Sequence, residues 1–160
     1  MIVEHAFIST RDSAEVQASA RDLLSMLGFS PTETSGPATP DCLDVSRGRR
    51  HARQAVYRLD EQPQRVRVEF DRGRVTIAAS IEPHGRPHDL HRELLLLLAS
   101  LIERRVAGGA NLAELRTPWE NLDERIRRYN RKRRLPRDII IVALCLIVVA
   151  AVVAGILSAR

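Results

Sequence analysis

The chain has 160 residues, 25 of them basic and 20 acidic, a formal net charge of +5, and two cysteines. That length suits one modest domain with an appended segment, since a single core takes about 100 to 150 residues. No phosphate loop, dinucleotide fingerprint, nucleophile elbow or CxxC pair occurs, which excludes the enzyme classes such motifs mark.

Residues 2–9 are rich in Ile, Val and Phe and read as a strand. Asp12 and Glu15 have capping-box spacing, and Val16, Ala20, Leu23, Leu24 and Leu27 then follow a helical period until Gly28 stops it. Residues 30–41 (SPTETSGPATPD) have loop composition. Strands are expected near 42–46, 52–59, 65–71 and 74–82.

The last two strands fix their own register. A two-residue turn at Arg72-Gly73 sets Phe70 opposite Val75, Val68 opposite Ile77 and Val66 opposite Ala79, so the apolar residues share one face. An odd-length loop would set Val68 against Thr76 and mix the faces, so a connection of two or four residues is expected. The apolar face needs a cover, and a helix starting near Pro87 provides one with Leu90, Leu94, Leu97, Leu98, Leu101 and Ile102. The expected fold is α+β, a two-layer sandwich of order β-α-β-β-β-β-α over residues 1–107, mainly antiparallel, with both helices on one face.

The other sheet face is polar and carries Arg58, Arg65, Arg67 and Arg74. It reads first as a solvated face with cross-strand charge pairs, and second as a docking face for an acidic partner. The element order resembles that of double-stranded RNA-binding domains, but the start of the last helix lacks their lysine-rich character. Residues 1–124 also carry 16 arginines against 19 carboxylates, so nucleic acid is not an expected ligand.

His84, His88 and His91 form the one cluster of metal-ligand type, with His88 and His91 a helical turn apart. A closed zinc site wants four ligands and no cysteine is near, so these histidines read first as exposed polar residues and second as a metal or catalytic corner. No cofactor is expected. Cys42 and Cys145 do not form a disulfide framework, because the second lies in an apolar run; this is the usage of a reducing compartment.

Gly108 and Gly109 open a segment, 108–138, that joins the domain to the C-terminal apolar run. Leu112, Leu115, Trp119, Leu122, Ile126 and Tyr129 recur at heptad spacing, for about two and a half heptads. Thr117-Pro118-Trp119-Glu120 looks like a fresh helix start, so a short turn or helix at 111–116 and a separate helix over 118–134 are expected. Three roles fit that helix: a solvated basic stalk, an amphipathic helix on anionic headgroups, or one strand of a dimeric coiled stalk.

Arg125, Arg127, Arg128, Arg131, Lys132, Arg133, Arg134 and Arg137 make a basic run that accounts for the high pI of about 10.2. It precedes residues 139–157 (IIIVALCLIVVAAVVAGIL), which carry no charge. Nineteen helical residues rise about 28 Å, close to the thickness of a bilayer's hydrocarbon core. The positive-inside rule then places the N-terminal part in the cytoplasm, and the chain reads as a tail-anchored, single-pass protein. The predominance of arginine over lysine points to a GC-rich genome and hence a bacterial cell membrane. Ala151 and Gly155 have the small-xxx-small spacing of packed membrane helices, a second route to a homodimer besides the stalk.

The functional expectation is a non-catalytic domain that binds an unidentified protein partner at the membrane surface. The alternatives are a tethered enzyme or metal-dependent domain using His84, His88 and His91, and a domain that binds lipid or another small ligand.

Overall fold

The computed structural model describes residues 1–32, 41–48, 62–82, 89–129 and 143–147. They fall in two units, Met1–Ile126 and Arg127–Arg160. The first is an α+β fold of β1 (Ile2–Ile8), α1 (Ser13–Met26), β2 (Ser30–Pro31), β3 (Cys42–Arg47), β4 (Gln64–Asp71), β5 (Arg74–Ile81) and α2 (Asp89–Val106). A further helix, α3, occupies residues 112–129. The strands form one antiparallel sheet in the order β1-β5-β4-β3-β2.

The β4–β5 hairpin has the register that parity demands: Phe70 opposite Val75, Val68 opposite Ile77 and Val66 opposite Ala79. Its two turn residues are both left-handed, Arg72 at φ 47° and Gly73 at φ 85°. That geometry matches the right-handed twist of the strands, and glycine adopts it without the Cβ clash that other residues meet. Val66, Val68, Val75, Ile77, Ala79 and Ile81 are buried beneath the helices.

α1 begins where the sequence indicates. The Asp12 carboxylate accepts the Glu15 backbone N–H at 2.8 Å, and Val16, Ala20, Leu23 and Leu24 are buried. α2 buries Leu94, Leu95, Leu98, Leu101 and Ile102, and with α1 it covers the same side of the sheet. The strand expected over 52–59 lies outside the described residues. The loop expected over 30–41 begins instead with β2, where Ser30 pairs with Ser46 and Pro31 with Val45. Two residues are too few for any period to announce such a strand.

The larger difference concerns the segment after α2. A tight turn reverses the chain: Ala110 N–H donates to the Arg104 carbonyl at 3.1 Å, and a Cβ at Gly108 would lie 2.9 Å from that same oxygen. α3 then starts at residue 112, with Asn111 Oδ1 accepting the Ala113 N–H at 3.1 Å, and runs through Pro118 without the break expected at Thr117. A proline inside a helix forfeits one backbone bond and costs about 3 kcal/mol. Leu115, Trp119, Leu122 and Ile126 are all buried, and each full burial contributes about 1.5 to 3 kcal/mol, so packing outweighs the local signal.

The compact unit therefore extends through Ile126, past the boundary expected near residue 107. The apolar line of α3 is spent on the domain's own core. Up to Ile126 it is neither a free stalk, nor a helix with its apolar face on lipid, nor a seam open to a second stalk helix.

In the second unit, residues 127–129 and 143–147 are described, and all are helical. Leu144, Leu146 and Ile147 are exposed. Among the described residues no helix is long and apolar enough to cross a membrane. Most of the apolar run 139–157, with Ala151 and Gly155, lies outside them.

Candidate functional site

α2 and α3 are consecutive, joined by the turn at Gly108-Gly109, and their far ends meet where Arg125 of α3 is ion-paired with Glu93 of α2. An antiparallel helical hairpin results, and between its arms lies a groove of about 680 Å³. Leu97, Pro118 and Leu122 supply apolar lining, Leu96 is 49 % exposed beside them, and Asp89, Arg92, Glu93, Asn121 and Arg125 add polar groups. This lining suits an apolar side chain or segment held between groups of both charges. The Arg125–Glu93 pair ties the two arms together.

A second cluster fixes α3 to the sheet. Arg47, at the end of β3, donates from Nε to Gln64 Oε1 at 2.9 Å and from Nη1 to the Leu27 carbonyl at 3.1 Å. Its guanidinium lies 5.1 Å from the Phe29 ring centroid and 4.6 Å from that of Trp119. One planar cation thus joins the end of α1, two strands and α3, which suits the fork of donors and flat faces of arginine better than a lysine ammonium.

The residues singled out from the sequence are scattered over the fold. His91 is buried, with Nε2 3.0 Å from Gln62 Oε1, so this ring nitrogen is taken up inside the domain. His84 and His88 lie outside the described residues, among which no three His, Cys, Asp or Glu side chains are grouped to hold a metal. On the open sheet face Arg65 is ion-paired with Asp44, and Arg67 approaches Glu69 to 2.6 Å. The hydrogen bond from Arg65 holds the Asp44 carboxyl below its ordinary value and raises the Arg65 guanidinium in turn; partial burial of Asp44 opposes this. Arg74 is exposed, and Arg58 lies outside the described residues.

Of the basic run, Arg125 is committed to Glu93, while Arg127 and Arg128 are exposed. Arg131, Lys132, Arg133, Arg134 and Arg137 lie outside the described residues. Cys42 is half-buried and Cys145 exposed, both as free thiols.

Sequence reasoning missed the groove and the Arg47 cluster. One signal for the groove was available: six consecutive hydrophobic positions, Leu94–Ala99, wrap more than a helix can turn toward one sheet, so part of the run has to face another surface. Nothing marked Arg47 among so many arginines.

Neither the protein-family models nor the curated proteins include a match to this chain.

Proposed function

We propose that this protein is a tail-anchored adaptor that holds a small α+β interaction domain at the cytoplasmic surface of a membrane. What supports this reading is the uncharged run 139–157 behind eight cations; the burial of Leu115, Trp119, Leu122 and Ile126 adds that α3 is part of the domain as far as Ile126. The basic run then starts on the domain itself, at Arg125, rather than at the tip of a loose stalk. Only residues 127–138 separate the domain from the apolar run, and twelve residues reach at most about 40 Å. The span supplies the anchor, and the cations from Arg127 to Arg137 supply orientation and attraction to anionic headgroups, about 1 kcal/mol each near the surface.

The test compares the full chain with a version ending at Asp138. The full chain is expected to stay with membranes through an alkaline carbonate wash, with its N-terminal domain shielded from protease added outside intact cells. The shortened version is expected in the wash. A full chain released by carbonate, or cleaved within residues 1–126 from outside, would overturn the reading.

A further inference from the structure

β1 is the edge of the sheet, and among the described residues nothing pairs with its outer side. Natural edges are kept apart by shortness, proline, bulges or charge. The opposite edge is protected in this way, because β2 has two residues and one of them is Pro31. β1 has seven residues (IVEHAFI), a continuous register with β5, no proline and one acidic residue, Glu4. It also carries two of the most exposed large apolar side chains of the domain, Ile2 at 67 % and Ile8 at 73 %.

The backbone polarity of β1 is set by the hydrogen bonds at its two ends. Met1 exchanges both of its backbone bonds with Ile81, and Ser9 N–H donates to the Gly73 carbonyl at 2.8 Å. Residues alternate in an antiparallel ladder, so the odd-numbered ones direct N–H and C=O to β5. Ile2, Glu4, Ala6 and Ile8 therefore present theirs outward.

We infer that two copies of the chain pair through β1, antiparallel about a two-fold axis at His5, and join their sheets edge to edge. In this register Ile2 faces Ile8 of the second copy and Glu4 faces its Ala6, with the reciprocal pairs across the axis. Every outward N–H and C=O of these four residues then has a partner. The exposed isoleucines meet each other on the open face, and Val3 meets Phe7 on the helix-covered face. Sliding the second strand by two residues one way sets Glu4 against Glu4 and strands both Ile8 side chains; the other way strands both Ile2 side chains. The strand is thus complementary to itself in one register, the requirement of an isologous contact. His5 is compatible with the axis, because its Nε2 turns to Glu103 Oε2 at 2.8 Å on α2.

The experiment measures the mass of the full chain in detergent micelles by sedimentation, with thermal unfolding as a check on folding. The wild-type chain is expected to be a dimer. Ala6→Glu sets two carboxylates against the two Glu4 side chains, at an exposed position where the monomer is unaffected, and is expected to raise the dimer dissociation constant by at least about tenfold. Glu4→Lys combined with Ala6→Glu restores opposite charges and the dimer. In a chain with Cys42→Ser and Cys145→Ser, mild oxidation is expected to cross-link His5→Cys, which meets itself at the axis, and not Ala6→Cys. A monomeric wild-type chain, a dimer indifferent to Ala6→Glu, or a double variant no better than the single one would overturn the inference; indifference would assign the contact to another surface, such as the apolar run.

Discussion

The guanidinium of Arg47 stacks over the indole of Trp119 at 4.6 Å from the ring centroid, and this pair links the end of β3 to α3. The other buried side chains of α3 are Leu115, Leu122 and Ile126. Trp119→Ala is expected to cost about 3 to 5 kcal/mol of unfolding free energy, as large buried aromatics do. Arg47→Lys keeps the charge but loses the fork to Gln64 and Leu27, and about 1 to 3 kcal/mol is expected. A double-mutant cycle between the two positions, read by chemical denaturation, should give a coupling of about 0.5 to 2 kcal/mol; zero coupling would reduce the stack to mere proximity.

Asp44 and Arg65 make the stability of the sheet pH-dependent in a defined direction. The carboxyl of Asp44 is held below 3.8, its ordinary value, chiefly by the hydrogen bond from Arg65. A group with a depressed folded-state pKa stabilises the fold above its unfolded-state pKa and loses that contribution as pH falls through the folded value. The stability difference between wild type and Asp44→Asn should therefore be constant near neutrality and shrink as pH falls below about 3.8. Denaturation series at several pH values measure it, and a difference that grows on acidification would contradict the assignment.

Pro118 sits inside α3 without an N–H for the carbonyl one turn earlier. Pro118→Ala restores that donor at a position already held in helical geometry by its buried neighbours. A stabilisation of about 1 to 3 kcal/mol is expected, visible as a raised melting temperature. A loss of stability would mean that packing of the proline ring on the groove wall outweighs the missing bond.

At the β4–β5 turn Arg72 is the one non-glycine residue among those described with a positive φ. Asparagine tolerates this conformation better than arginine, so Arg72→Asn should stabilise the hairpin by about 0.5 to 1 kcal/mol. Gly73→Ala, at φ 85°, should destabilise by a similar amount or more. Thermal melts of the two variants should move in opposite directions.

The β4–β5 register was legible in the chain because strand periodicity is two and the turn has two residues: one parity choice puts every apolar residue on one face. The start of α1 was legible because a capping carboxylate acts on a backbone N–H three residues away. α3 was harder. Its 3-4 spacing marks an apolar line, but the same line serves a coiled stalk, a lipid surface or the chain's own core, and the local stop signal at Thr117-Pro118 pointed to a break that burial of Leu115 and Trp119 overrides.

The candidate site was less legible than the fold. His91 read first as an exposed polar residue beside His84 and His88; it is buried instead, and its partner Gln62 comes from a distant part of the sequence. The groove exists only because α3 folds back on α2. Arg47 acquires its role from Phe29, Gln64 and Trp119, none of which adjoins it in sequence. Sequence alone determined the apolar faces of β4 and β5, the apolar lines of the helices, the register of one hairpin and the separation of charge along the chain, because these depend on neighbours a few residues apart. Tertiary structure decided what covers each apolar face, which arginine is tied down and which strand is left at the edge, because those outcomes depend on contacts that close over long stretches of chain.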